Sequence, residues 1–196
     1  MKNIRYPLAL FLIFLIASCG RQDAPPAPPA PAAPMAEAPE AGYNPEARLA
    51  ELGIALSVPA SPVANYVNAV QTGNLLFLAG KGPKKEDGEY ITGKVGEDLT
   101  VEEGYEAARL VAINQLAVLK AELGNLNRVK RIVKVLGMVN CAPGFGDQPE
   151  VVNGFSDLMV EVFGERGKHA RAAVGMASLP RGIAVEVELV VEVYGE

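Results

Sequence analysis

Tryptophan is absent from the 196 residues, histidine occurs once, cysteine twice, and aromatic side chains make up only 6%. Each scarcity closes a class. Two Cys and one His cannot build a zinc ribbon or a disulfide-stapled scaffold. Few aromatics and a net charge of −5 argue against a generic nucleic-acid binder, which needs stacking platforms and a cationic surface. A hydrophobic fraction of 49% is nevertheless too high for a wholly disordered chain. The length suits one ordinary domain or two very small ones.

The two ends of the chain differ in composition. Lys2 and Arg5 precede an unbroken apolar run, Leu8 to Ala17, about half as long as a bilayer-spanning helix requires. The run ends in Ile16-Ala17-Ser18-Cys19. A basic start, a short apolar core and small residues at its end describe an export signal over residues 1–18. The placement of Cys19 resembles the lipobox of bacterial lipoproteins, which implies cleavage before Cys19 and lipidation of its thiol and new amino terminus. Several acyl chains suffice for stable anchoring where one is marginal. Gly20, where an Asp would imply inner-membrane retention, points to the outer membrane facing the periplasm. The expected address is therefore the bacterial cell envelope.

Residues 19–45 read as a tether. Between Ala24 and Ala41 every residue is Pro or Ala except Met35, Glu37 and Glu40, a composition that cannot bury a core and favours polyproline II. From residue 46 to 196 the composition is that of a folded domain. Asn44-Pro45 and Gly53 bracket a short helix, Glu46 to Leu52. Tyr66 to Val70 and Leu75 to Ala79 flank Gln71-Thr72-Gly73-Asn74 as a hairpin. Thr100-Val101-Glu102-Glu103 is a capping box that opens a long helix ending at Gly124. Val129 to Val139 reads as a strand, Asp147 to Phe163 as a second long helix, and Ala170 to Ala177 and Ile183 to Tyr194 as a closing strand pair. In the last strand Val185, Val187, Leu189 and Val191 share one face, and Glu186, Glu188 and Glu192 the other. The order predicts an α+β fold, a single sheet with two helices packed on one face. Its second face then needs a cover, and a second copy of the chain is the simplest one.

Candidate chemistry is sparse. Cys141, in Asn140-Cys141-Ala142-Pro143, reads as a buried structural thiol, and His169 as an exposed loop residue. No two metal ligands show a recognisable spacing, so no metal is expected. Gly80-Lys81-Gly82-Pro83 lacks the pattern of a phosphate cradle and reads as a turn. The basic group Arg128, Lys130, Arg131 and Lys134 reads as a solvated strand end, and no nucleic-acid partner is expected. Arg171 stands among Ala170, Ala172 and Ala173, which leave room for a ligand beside a guanidinium able to grip a carboxylate through two parallel hydrogen bonds. From pattern alone, an ion pair with a surface Glu is the plainer alternative. Glu186 could return near Arg171 through the Leu179-Pro180-Arg181-Gly182 turn, there to orient a water or to form a salt bridge.

Arg171-Ala172-Ala173-Val174, Leu179-Pro180 and Val185-Glu186-Val187-Glu188 together resemble the closing signature of the Rid family, also called YjgF, the reactive-intermediate deaminases. The resemblance runs from about Pro62 to Val193 and takes in Tyr66, Ala79-Gly80 and Asn153. It implies a chorismate-mutase-like fold and a homotrimer with clefts between subunits. It further implies that Arg171 binds the carboxylate of a 2-imino or enamine acid and that Glu186 positions the hydrolytic water. Tyr66, Gly80 and Asn153 would line the cleft, with no cofactor. Ala173 stands where archetypal members often carry Cys, Ala79 replaces a frequent Ser, Lys81 replaces a polar amide, and Lys84 to Gly93 is longer than usual. Two readings follow: a hydrolase of imines or enamines bearing a carboxylate, or a non-catalytic module of the envelope, ligand-binding or structural.

Overall fold

The computed structural model describes residues 42–62 and 64–195. The expected export signal, Cys19 and the tether as far as residue 41 lie outside the described residues.

The longest helix, α2 (Val101–Leu123), is delimited by its own sequence. The Thr100 hydroxyl accepts from Glu103 N, the Glu103 carboxylate accepts from Thr100 N, and Gly124 closes the helix at φ 73°. The second long helix, α3 (Gln148–Phe163), has Pro149 in its first turn, where no backbone donor is missed. α2 and α3 pack tightly because Gly154 offers no side chain to α2: a Cβ there would collide with the Tyr105 carbonyl oxygen. Leu116 and Leu119 of α2 and Phe155 and Leu158 of α3 are wholly buried in the shared core. A short helix, α1 (Pro45–Glu51), N-capped by the Asn44 side chain, adds Leu49 to that core. Arg48 of α1 donates through Nε to the Glu161 carbonyl of α3 at 3.1 Å.

Five strands form one sheet: β1 (Ala69–Thr72), β2 (Leu75–Lys81), β3 (Val129–Asn140), β4 (Ala170–Met176) and β5 (Val185–Val193). Their order is β1-β2-β5-β3-β4, with β3 and β4 parallel and the other neighbours antiparallel. The expected hairpin is present, but its loop is only Gly73-Asn74, because Thr72 pairs directly with Leu75 and Gly73 takes φ 58°. Tyr66 and Val67 precede the strand and are exposed.

The expected closing strand pair is not a pair. β4 follows β3 through the α3 crossover, which returns the chain parallel to β3 at the sheet edge. β5 then passes to the other side of β3 and fills the gap between β2 and β3. Burial selects that place. Val185, Val187, Leu189, Val191 and Val193 are all buried beneath the helices, and only a central strand hides such a row completely.

The result is the α+β, chorismate-mutase-like arrangement that the sequence resemblance implies, with a third short helix added. The face opposite the helices carries Val70 (57% exposed), Phe77 (45%) and Val174 (38%), so large apolar side chains stand in solvent on a single chain.

Candidate functional site

Register decides which side of the sheet each predicted residue faces. Arg171 pairs with Val135, and Val135 with Leu189; Val135 and Leu189 are buried beneath the helices. Arg171 therefore lies on the helix side, and it reaches α3. Its Nη1 donates to Asn153 Oδ1 at 2.9 Å and to Ser156 Oγ at 3.1 Å, and its Nη2 to the Pro149 carbonyl at 3.4 Å. All three acceptors are neutral. Among the described residues no carboxylate pairs with this guanidinium. A surface ion pair, the plainer alternative from pattern, is not what forms. Both Nη1 hydrogens and one Nη2 hydrogen are taken, which leaves Nε–H and the second Nη2–H as the donors a carboxylate could meet.

His169 is half-buried rather than an exposed loop residue, and it belongs to this cluster. Its Nδ1 lies 2.6 Å from the Gly167 carbonyl and its Nε2 lies 3.1 Å from Ser156 Oγ. A carbonyl only accepts, so Nδ1 carries the proton and Nε2 accepts from the Ser156 hydroxyl. Ser156 Oγ then takes the Arg171 donor on a lone pair. Burial, with the neighbouring Arg171 charge added, holds the imidazole below its ordinary pKa against the opposing pull of the Gly167 carbonyl. The chain of bonds thus fixes Arg171 from behind.

Glu186 faces the other way. It pairs with Met138 on β3, between Val185 and Val187, which point into the core. It is half-buried, and among the described residues its carboxylate has no hydrogen-bond or ion-pair partner. Burial, helped by the like charge of Glu188, lifts its pKa above the ordinary value. Gly80 makes room for it: a Cβ at Gly80 would stand on the carboxylate, whose Cδ would be 3.0 Å away. Tyr66, Gly80, Lys81 and Glu186 all line one cavity of about 880 Å³, whose wall also takes in Leu110 and Asn114 of α2.

The structure thus brings Arg171 and Asn153 together, and separately Tyr66, Gly80 and Glu186. It does not bring Glu186 back beside Arg171, because β3 intervenes and the two face opposite sides. Cys141 is half-buried at the end of β3, with Gln148 Nε2 3.7 Å from its Sγ. No three His, Cys, Asp or Glu side chains converge as metal ligands would among the described residues.

Two α2 residues outside the sequence-based candidates shape the cavity. β2 and β5 lose register between Leu78 and Lys81, a bulge that frees ladder groups. Gln115, wholly buried, donates through Nε2 to Ala79 O at 3.0 Å and to Val187 O at 2.7 Å, across that bulge. Asn114 donates through Nδ2 to Gly82 O and Lys84 O, each at 3.1 Å. A buried amide one residue from a second amide, in an otherwise apolar helix stripe, is the only sequence signal for either.

Residues 46–193 match the family model described as "YjgF/chorismate mutase-like, putative endoribonuclease". The chain belongs to this family, the Rid or YjgF family. It is similar to Protein TCP17 of Trypanosoma cruzi, with 49% identity over 147 residues, 74% of this chain and 92% of that protein. It is 30% identical to the 2-iminobutanoate/2-iminopropanoate deaminase of Dermatophagoides farinae, over 66% of this chain and 87% of that one. Among solved structures, that of Atu1372 from Agrobacterium tumefaciens, a protein of unknown function, aligns with a TM-score of 0.70 and 45% identity. That alignment covers 76% of this chain and 93% of the other. The two clusters described above therefore sit within a Rid domain, with Arg171 and Glu186 on opposite faces of its sheet. In that domain Gln115 and Asn114 brace the bulge that carries Gly80 and Lys81.

Proposed function

We propose that this Rid-family protein grips a small carboxylate-bearing molecule in a cleft between two copies of itself and hydrolyses 2-imino or enamine acids to 2-keto acids and ammonia. The observation that carries this reading is Arg171, fully oriented by neutral acceptors, with a free hydrogen-bonding edge and no carboxylate of its own among the described residues. A guanidinium so prepared gives a substrate carboxylate two parallel bonds at little ordering cost. Asn153 holds that guanidinium from one side.

Glu186 supplies the complementary chemistry. A carboxyl whose pKa is lifted by burial exchanges protons near neutral pH more readily than an ordinary one. It orients the attacking water and passes the proton to the departing nitrogen, while Tyr66 and the Gly80 backbone border the ligand. Water attack on a carbon held by its carboxylate needs little beyond positioning and proton transfer.

The two halves lie on opposite faces of one sheet, so a complete cleft draws on two chains. The uncovered apolar face with Val70, Phe77 and Val174 is the surface by which copies associate, as a homotrimer. Cys19 carries the lipid anchor, and the tether holds residues 46–196 away from the envelope membrane, the outer one facing the periplasm. The family description also names endoribonuclease activity; a domain with 15 Lys+Arg and 20 Asp+Glu over residues 46–196 has little to attract a phosphate backbone.

The deciding experiment is ammonia release from freshly generated imino acids by the full-length chain. Wild type accelerates release and Arg171→Ala returns it to the uncatalysed rate. Equal rates for the two across several imino acids overturn the hydrolase. If wild type alone is then thermally stabilised by a 2-keto acid, the domain is a binding module.

A further inference from the structure

Lys81 is the residue in the 880 Å³ cavity for which the hydrolysis has no use. Its ammonium sits at the end of β2, next to Gly80, and lines the cavity together with Glu186. Its one hydrogen bond among the described residues is to a neutral amide: Nζ donates to Asn68 Oδ1 at 2.6 Å. Asn68 is itself fixed, donating through Nδ2 to the Ala60 carbonyl. Among the described residues no carboxylate pairs with Lys81, although Glu186 lines the same cavity without a partner of its own. The surrounding lining is basic, with Lys84, Lys85 and Arg181 against Glu86. A half-buried amine with no counter-ion, held by one neutral acceptor, is the arrangement in which a lysine spends time unprotonated. Burial indeed lowers the Lys81 pKa from its ordinary value.

We propose that Lys81 is a covalent capture site for small carbonyl compounds, 2-keto acids above all, which it binds as an imine inside this cavity. The unprotonated Nζ adds its electron pair to the carbonyl carbon, and the carbonyl oxygen takes a proton from the Glu186 carboxyl. The Nζ proton released in the addition restores the Glu186 carboxyl, which then protonates the carbinolamine hydroxyl; water leaves, and the nitrogen electron pair forms the C=N bond as a protonated imine. One water leaves for each carbonyl captured, Glu186 ends as the carboxylate beside the protonated imine, and no oxidant or reductant is consumed. The basic rim favours carbonyl compounds that also carry a carboxylate. Asn68 keeps the amine aimed into the cavity: one amine hydrogen stays on Oδ1 while the electron pair attacks. This capture goes beyond the proposed hydrolysis, because it requires neither water attack nor Arg171.

The test traps the imine. Full-length protein is incubated at pH 7.5 with limiting pyruvate and sodium cyanoborohydride, which reduces an imine to a stable amine, and the labelled lysines are mapped by mass spectrometry. Lys81 is expected to carry at least about tenfold more adduct than Lys120 or Lys168, which are exposed and lie outside the cavity. Lys81→Arg should remove that label and leave thermal unfolding near wild type. Label spread evenly over the lysines, or richer on the surface ones, overturns the proposal, and the wild-type map alone is enough to show it. Propanal, which has no carboxylate, separates this inference from the hydrolase. If Lys81 takes propanal while ammonia release is absent, the hydrolase fails and the capture site stands. If neither carbonyl labels Lys81 while Arg171-dependent ammonia release is intact, the capture site fails alone.

Discussion

Arg171 and Glu186 project from opposite faces of one sheet, with β3 between their strands. Arg171 is in register with Val135 and Glu186 with Met138, and those two β3 residues point to opposite sides. No side-chain rotation within one chain closes that separation, because the sheet itself lies between them. A site that uses both groups has to be assembled from two copies.

Mixing mutants tests this directly. Arg171→Ala and Glu186→Gln should each abolish ammonia release, yet co-expressed together they should regain activity. In a cyclic trimer, each mixed assembly has one interface that pairs a sound Arg171 with a sound Glu186, which gives about a quarter of the wild-type rate for random mixing. Release no greater than the sum of the two single mutants rules out shared sites.

Glu186 should be costly to stability where it is useful to chemistry. Its pKa is raised in the folded state, so between its unfolded and folded values the native protein holds more protons than the unfolded chain. Stability therefore falls as pH rises through that window. Glu186→Gln removes the penalty, and its melting temperature should exceed wild type by roughly 1–3 °C at pH 8. At pH 4, where the wild-type carboxyl is largely protonated, the gap should close. Melting curves at the two pH values check the sign.

His169 gives the opposite sign. Its pKa is lowered by burial first and by Arg171 second, so the native state binds fewer protons than the unfolded chain below the ordinary histidine range. The stability it contributes is complete above that range and is lost as pH falls through the folded pKa. Wild type should lose stability between pH 7 and pH 5 more steeply than His169→Gln. Once the pH falls below the folded pKa, a proton on Nε2 removes the acceptor for Ser156, and carboxylate affinity should weaken. Ser156→Ala, which removes one of the bonds on Nη1, should weaken 2-keto acid binding by roughly 2- to 10-fold at pH 7.5. Isothermal titration measures both effects.

Gln115 should be among the least replaceable polar residues. Gln115→Leu strands two carbonyls, Ala79 O and Val187 O, at a bulge where the ladder cannot take them back. Urea unfolding should show a loss of about 1–3 kcal/mol. The cavity should suffer too, since the bulge carries Gly80 and Lys81. Cyanoborohydride labelling of Lys81 in this variant should drop even under conditions where the protein remains folded.

Much of the architecture was written locally. The Thr100–Glu103 capping box, Gly124, the presence of a turn within Gln71-Thr72-Gly73-Asn74 and the alternation along Val185 to Val191 act over a few residues, so periodicity and turn chemistry expose them. The same alternation placed Glu186 on the face away from the core, whereas for Arg171 the pattern alone favoured a surface ion pair and only the family resemblance implied a ligand group. The order of strands was not local. Nothing in residues 177–184 states that β5 crosses β3 instead of folding back on β4; that follows from where its row of buried valines can be hidden.

Partners at a distance were equally out of reach. His169 looks like a loop residue until α3 brings Ser156 to its ring, and Lys81 looks like a turn residue until Asn68 and the cavity surround it. The elements, their inward faces and the residues rich in chemistry depend on neighbours along the chain, and so the amino-acid order alone specifies them. Which of those residues meet is a property of the folded chain. Hydrogen-bond partners and burial are set by strand order and helix packing, and these placed Arg171 and Glu186 on opposite sides of the same sheet.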